Sequence, residues 1–172
     1  MLKPLIQLYL QIMILRKGPQ DLPHSRPLLV LIILLVGLVS LLDMILPDNK
    51  GQSHPVDQMV LFVLVYYVVI IGSVYLLLKT LKYSARVPQT LCALLGVDFI
   101  FTLLRLGLSV LMSSTSTVFF IFDGVLVIWA LVVNATIFRH ALSISILAAG
   151  MLSYTFFLLS LYIQYQFGLL GG

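Results

Sequence analysis

Five runs of about twenty residues, nearly free of charge, follow one another down the chain and leave room for little else. They cover about 28–46, 58–78, 89–111, 118–138 and 141–167. A helix of about twenty apolar residues matches the hydrocarbon thickness of a bilayer. Lipid offers no partner to a free backbone amide, so a crossing chain must fold as helices that satisfy their own hydrogen bonds. Hydrophobic residues make up 61% of the chain, charged residues 9%, and the mean hydropathy is +1.14. A soluble domain carries roughly a quarter charged residues. So few charges cannot coat a surface in water, which excludes a soluble globule, a nucleic-acid binder and a disordered chain. The expected fold is all-α: a polytopic membrane bundle of five transmembrane helices preceded by a short interfacial amphipathic helix.

The spans are punctuated by helix breakers. Pro47 ends the first, the turn-forming PDNKGQSHP precedes the second, Pro88 opens the third, and Gly168 with Gly171-Gly172 follows the fifth. Residues 118–167 contain no proline. As one helix they would run about 75 Å, so the chain must turn, and the polar pair Arg139-His140 marks the expected place.

Two regions result, 1–27 and 28–172. In residues 2–15, Lys3, Gln7 and Gln11 recur every four residues on one face of an otherwise apolar helix. At about 20 Å this helix is too short to cross, and it reads as lying in the interface. No small-residue cleavage site follows it, so it is expected to remain on the mature protein. Residues 16–27, RKGPQDLPHSRP, form a basic loop broken by three prolines and a glycine.

Charge sets the orientation. Eight Lys and Arg lie at one set of span ends (Lys3, Arg16, Lys17, Arg26, Lys79, Lys82, Arg86, Arg139) and only Lys50 at the other. Cytoplasmic ends carry the basic excess, so the N-terminus is expected inside and, after five crossings, the C-terminus outside. Arg16, Lys17, Arg26, Lys79, Lys82 and Arg86 are the expected contacts to anionic lipid head groups. Tyr162 and Tyr165 suit an interfacial belt at the far end of the fifth span.

The informative residues are polar groups inside the spans, where a charge needs a partner or water. Asp98, Thr102 and Arg105 share one face of the third span; Asp123 and Asn134 lie in the fourth. Arg105 precedes the end of its span by about six residues, and Asp123 follows the start of its own by about six. Both then lie at one depth, about 9 Å below the boundary, and a short Ser/Thr loop makes the two helices antiparallel neighbours. An Arg105–Asp123 ion pair follows, with the guanidinium fork bonding the carboxylate twice. Asp98 is expected to be protonated, or hydrogen-bonded to Thr102 or a neighbouring helix. Two readings remain: a pair that fixes span register, or a polar pocket for a lipid head group or proton path.

Other features are blander. Asp43 should reach the interface. The pairs His54 with Asp57 and Asp21 with His24 are too few to ligate a metal and belong to solvated loops. Trp129 sits mid-span and should be packing. Cys92, the single cysteine, is a small hydrophobe. Ser145, Ala149 and Ser153 repeat at four-residue spacing beside Gly150; such stripes let helices approach closely, as an internal seam or a dimer face.

No phosphate-binding loop, HExxH, GxSxG or CxxC is present, and the six acids are all Asp. No enzyme activity, cofactor or metal is expected. Paired repeats and broken spans, usual in secondary transporters, are also missing.

The stretch RKGPQDLPHSRPLL, residues 16–29, resembles the lead-in segment of bacterial members of the Yip family. These are small five-span proteins whose first span follows a basic Gly-Pro…Asp-Leu-Pro-x-Ser segment. The resemblance implies five spans, a cytoplasmic N-terminus and a bacterial inner membrane. Eukaryotic members are associated with ER and Golgi trafficking and small GTPases. Their Asp-Leu-Tyr-Gly-Pro and Gly-Tyr motifs are missing here, so a GTPase-binding role does not carry over.

The expected function is a non-enzymatic membrane scaffold or accessory subunit. Its partners would be anionic lipids, another membrane protein or a second copy. The alternative is a lipid- or small-molecule-handling protein built around the intramembrane polar groups.

Overall fold

A computed structural model describes residues 2–45, 55–112 and 116–167, and the side chains of all of these except 2–4. Lys50, His54 and residues 113–115 of the Ser/Thr loop lie outside the described residues. The described chain is helical without strands: α1 Leu2–Met13, α2 Arg26–Ile45, α3 Val56–Thr80, α4 Val87–Leu111, α5 Thr117–Leu142 and α6 Ile146–Gln166. Short 3-10 turns at Pro19–Asp21 and Ser84–Arg86 precede α2 and α4.

The helices α2 to α6 are each long and apolar enough to cross a membrane. They hold 20 to 26 residues, or about 30–39 Å at the usual helical rise. Large apolar side chains face outward on all of them, Leu34, Val68, Val110, Ile128 and Leu147 among them. A water-soluble surface does not tolerate apolar area on that scale.

The central helix is α4, which packs against α1, α2, α3 and α5. From Thr90 to Val97 every residue except Leu94 is buried. Small side chains make this possible: Ala93 and Gly96 let neighbouring helices approach. The α1 helix docks there through Tyr9, Ile12 and Met13, all buried. The Tyr9 ring lies so close to Gly96 that a Cβ at 96 would overlap it. The Tyr9 hydroxyl donates to the Cys92 carbonyl at 3.0 Å. Burial holds the Tyr9 phenol above its ordinary pKa. Cys92 is itself buried. Along the opposite side of α1, Ile6, Leu10 and Ile14 form an exposed apolar stripe at four-residue spacing, with Gln7 exposed beside it.

The turn after α5 departs from expectation. The helix runs through Arg139-His140 and stops at Ser143, whose φ of 56° is left-handed. Cations in a last turn favour the helix rather than break it, because they meet its negative end. Ser145 then caps α6 by accepting from the Ala148 amide at 3.3 Å. Ser145 is therefore an exposed cap rather than part of a packing stripe. Ala149 and Ser153 do face α5: Ala149 is fully buried, and the Ser153 hydroxyl donates to the Leu131 carbonyl at 2.9 Å. Trp129, expected to serve packing, stands 41% exposed on the bundle surface. A position midway along an apolar helix does not fix which way its side chain faces, so it did not imply burial.

Candidate functional site

Two polar constellations tie the helices together. In the middle of the bundle, Tyr67 of α3 donates its hydroxyl to Asp98 Oδ2 of α4 at 3.0 Å. That hydrogen is then committed, so the Ser40 hydroxyl of α2, 2.8 Å away, donates to the Tyr67 oxygen. The Tyr66 ring meets Tyr67 edge-on at 5.0 Å. Three helices thus share one hydrogen-bond chain. Asp98 is joined to a neighbouring helix, whereas Thr102 spends its hydroxyl on the Asp98 backbone carbonyl at 2.9 Å. Neither Ser40 nor Tyr67 was singled out from sequence. The available signal was a hydroxyl within an apolar run, which needs a partner when water is absent.

About two turns beyond Asp98 along α4, Arg105 sits between two carboxylates. Its Nη2 lies 3.6 Å from Asp43 Oδ2 of α2, and its Nε 3.8 Å from Asp123 Oδ1 of α5. These separations exceed hydrogen-bonding distance, so the arrangement is a charge triad, not a fork gripping one carboxylate. Asp43, expected at the interface, is drawn into the bundle by this arginine. The Arg105 side chain is 55% exposed, against 17% and 30% for its partners.

Asn134 of α5 belongs to neither group. Its Oδ1 is buried and has no hydrogen-bond partner among the described residues.

The third feature is the basic end. The α1–α2, α3–α4 and α5–α6 connections meet there. Gln89 Nε2 donates to the Leu22 carbonyl at 3.0 Å, and Arg86 Nη1 donates to the Ala141 carbonyl at 2.9 Å. Arg16, Lys17, Arg26, Lys79, Lys82 and Arg86 are all exposed. They are not equivalent. Lys79 lies 5.6 Å from the centre of the Tyr75 ring and Arg86 5.1 Å from that of Tyr83. Arg86 also caps the end of α5, reaching the His140 carbonyl and the Ser143 hydroxyl.

Asp21 caps a turn, its Oδ2 accepting from the Gly18 amide at 3.0 Å. Asp57 is exposed in the first turn of α3. Among the described residues no three of His, Cys or Asp gather as a metal site.

Comparison with known proteins adds no relative: no protein-family model, curated protein or solved structure matches the chain.

Proposed function

We propose that this chain is a multi-pass integral membrane protein of a bacterial inner membrane, akin to the bacterial Yip proteins, acting as a non-enzymatic scaffold or accessory subunit. Its basic end and N-terminus face the cytoplasm, its C-terminus the outside, and α1 lies in the inner interface with Ile6, Leu10 and Ile14 toward lipid. The observation that carries the scaffold reading is the internal pairing of the intramembrane polar groups. Asp98, Tyr67 and Ser40 satisfy one another, and Arg105 is held by Asp43 and Asp123. Such links fix the register of α2 to α5, and a partner or second copy would then dock on a bundle of fixed shape.

The second reading, handling of a lipid or small molecule, draws support from the unpartnered Asn134 Oδ1. Reconstitution into vesicles carrying a fluorescent short-chain phospholipid separates the two. A scaffold moves that lipid no faster than protein-free vesicles do. Asp98→Asn, which keeps an oxygen for Tyr67 to donate to, then changes neither lipid movement nor assembly. Lipid movement that Asp98→Asn abolishes while the protein stays assembled would replace the scaffold with the handler.

A further inference from the structure

We propose that the basic end of the bundle holds a discrete binding site for one phosphoester anion, formed by Arg86 and Arg139 with Gln20, Gln89 and Ser143. A cavity of about 670 Å³ opens there between the 18–22 loop, the start of α4 and the α5–α6 turn. That size lies within the usual range of small-molecule sites, roughly 300–1,000 Å³.

Its walls are fixed rather than draped. The loop is bound to α4 by the Gln89–Leu22 hydrogen bond. Gly18 sits so close to α5 that a Cβ on it would lie 3.1 Å from His140 Cγ. Arg86 is held by the end of α5 on one side and the Tyr83 ring on the other.

Its cations face no carboxylate among the described residues. Both ion pairs among the described residues belong to Arg105, so neither Arg86 nor Arg139 has a carboxylate there. Arg139 makes no hydrogen bond or ion pair with any described residue. Asp21, next in sequence to the lining residue Gln20, does not line the cavity and is engaged by the Gly18 amide. Gln89 and Thr90 add the first turn of α4, the positive end of that helix. His140 donates its Nδ1–H to the Thr136 carbonyl at 2.7 Å, which leaves Nε2 as its other polar atom.

Two guanidinium groups without a carboxylate among the described residues, Arg86 with Nε and Nη2 still uncommitted, stand beside side-chain amides and a hydroxyl and match a phosphate, which accepts several hydrogen bonds at once. Basic pockets between membrane helices on the cytoplasmic side characteristically take lipid head groups. A soluble phosphate ester presents the same oxygens. The site does not depend on the scaffold reading, because an anion can bind whether or not a partner docks elsewhere.

The test uses the full chain purified in neutral detergent and native mass spectrometry. The probes are phosphatidylglycerol, phosphatidylcholine, glycerol 3-phosphate and inorganic phosphate. The wild type is expected to take up one anionic molecule per chain in preference to phosphatidylcholine. Arg139→Gln, which removes no internal bond, should weaken that uptake by about tenfold or more. Lys50→Gln, with the same change in net charge in the stretch of sequence between α2 and α3, should shift it less than twofold. Arg86→Lys, retaining charge without the fork, should fall between them. Selective uptake of phosphatidylglycerol assigns the site to a lipid head group, and equal uptake of glycerol 3-phosphate assigns it to a soluble ester. No preference for either anion over phosphatidylcholine, or equal losses for Arg139→Gln and Lys50→Gln at unchanged melting temperature, would overturn the proposal.

Discussion

Arg105→Ala should destabilise the bundle by about 3–5 kcal/mol, more than any other single truncation on the exposed face of α4. The cost comes from the partners. Removing the guanidinium takes away the cation that lies 3.6 Å from Asp43 and 3.8 Å from Asp123. Asp43→Asn and Asp123→Asn should each cost only about 1–3 kcal/mol, since Arg105 retains one carboxylate in either case. The size of the arginine effect also reports on its surroundings. Were its exposed half in water, screening would reduce the effect to about 0–1 kcal/mol. Denaturation titrations in bicelles with Leu104→Ala as the neighbouring control give the number. Equal losses for Arg105→Ala and Leu104→Ala would remove the triad from the account. Exchanging arginine and aspartate between 105 and 123 is a poor substitute test, because it sets a new carboxylate beside Asp43.

Gly96→Ala is the second large effect, and it acts on α1. The added methyl collides with the Tyr9 ring, whose hydroxyl is pinned to the Cys92 carbonyl. Overpacking of this kind costs about 1–3 kcal/mol, and undocking α1 is the available relief. Hydrogen exchange in α1 should quicken by about tenfold, as 1.4 kcal/mol of lost docking requires. In a Tyr9→Ala background the same substitution should add no further exchange. Gly107→Ala, with open space around its Cβ, should instead stabilise by up to about 1 kcal/mol. Unchanged exchange in Gly96→Ala would mean that α1 is not held at Gly96.

The number and order of the long apolar helices were legible because hydrocarbon length and backbone satisfaction admit few solutions. The approach of Arg105 to Asp123 was legible for a related reason: a short loop fixes two helices antiparallel, and equal residue counts then fix equal depth. Asp43 was not, because a long arginine reaches a carboxylate nearer the helix end, and residue counting ignores that reach. Ser40 and Tyr67 escaped because one hydroxyl hardly disturbs an apolar run, and only helix rotation shows that two of them meet. The docking of α1 was hidden in Gly96, an unremarked glycine until a ring is seen resting on it. At the α5–α6 turn the charged pair drew attention, whereas the stop was written in the less conspicuous Ser143 and Ser145.

The account stands on five crossings with the cationic connections left on one side. Reporter fusions test that directly: alkaline phosphatase, active only outside the cytoplasm, and a fluorescent protein that matures only inside it. Joined after Gly172, the phosphatase should be active and the fluorescent protein dark; inserted after Lys82, the pattern should reverse. Fluorescence at both positions, with no phosphatase activity after Gly172, would contradict the arrangement.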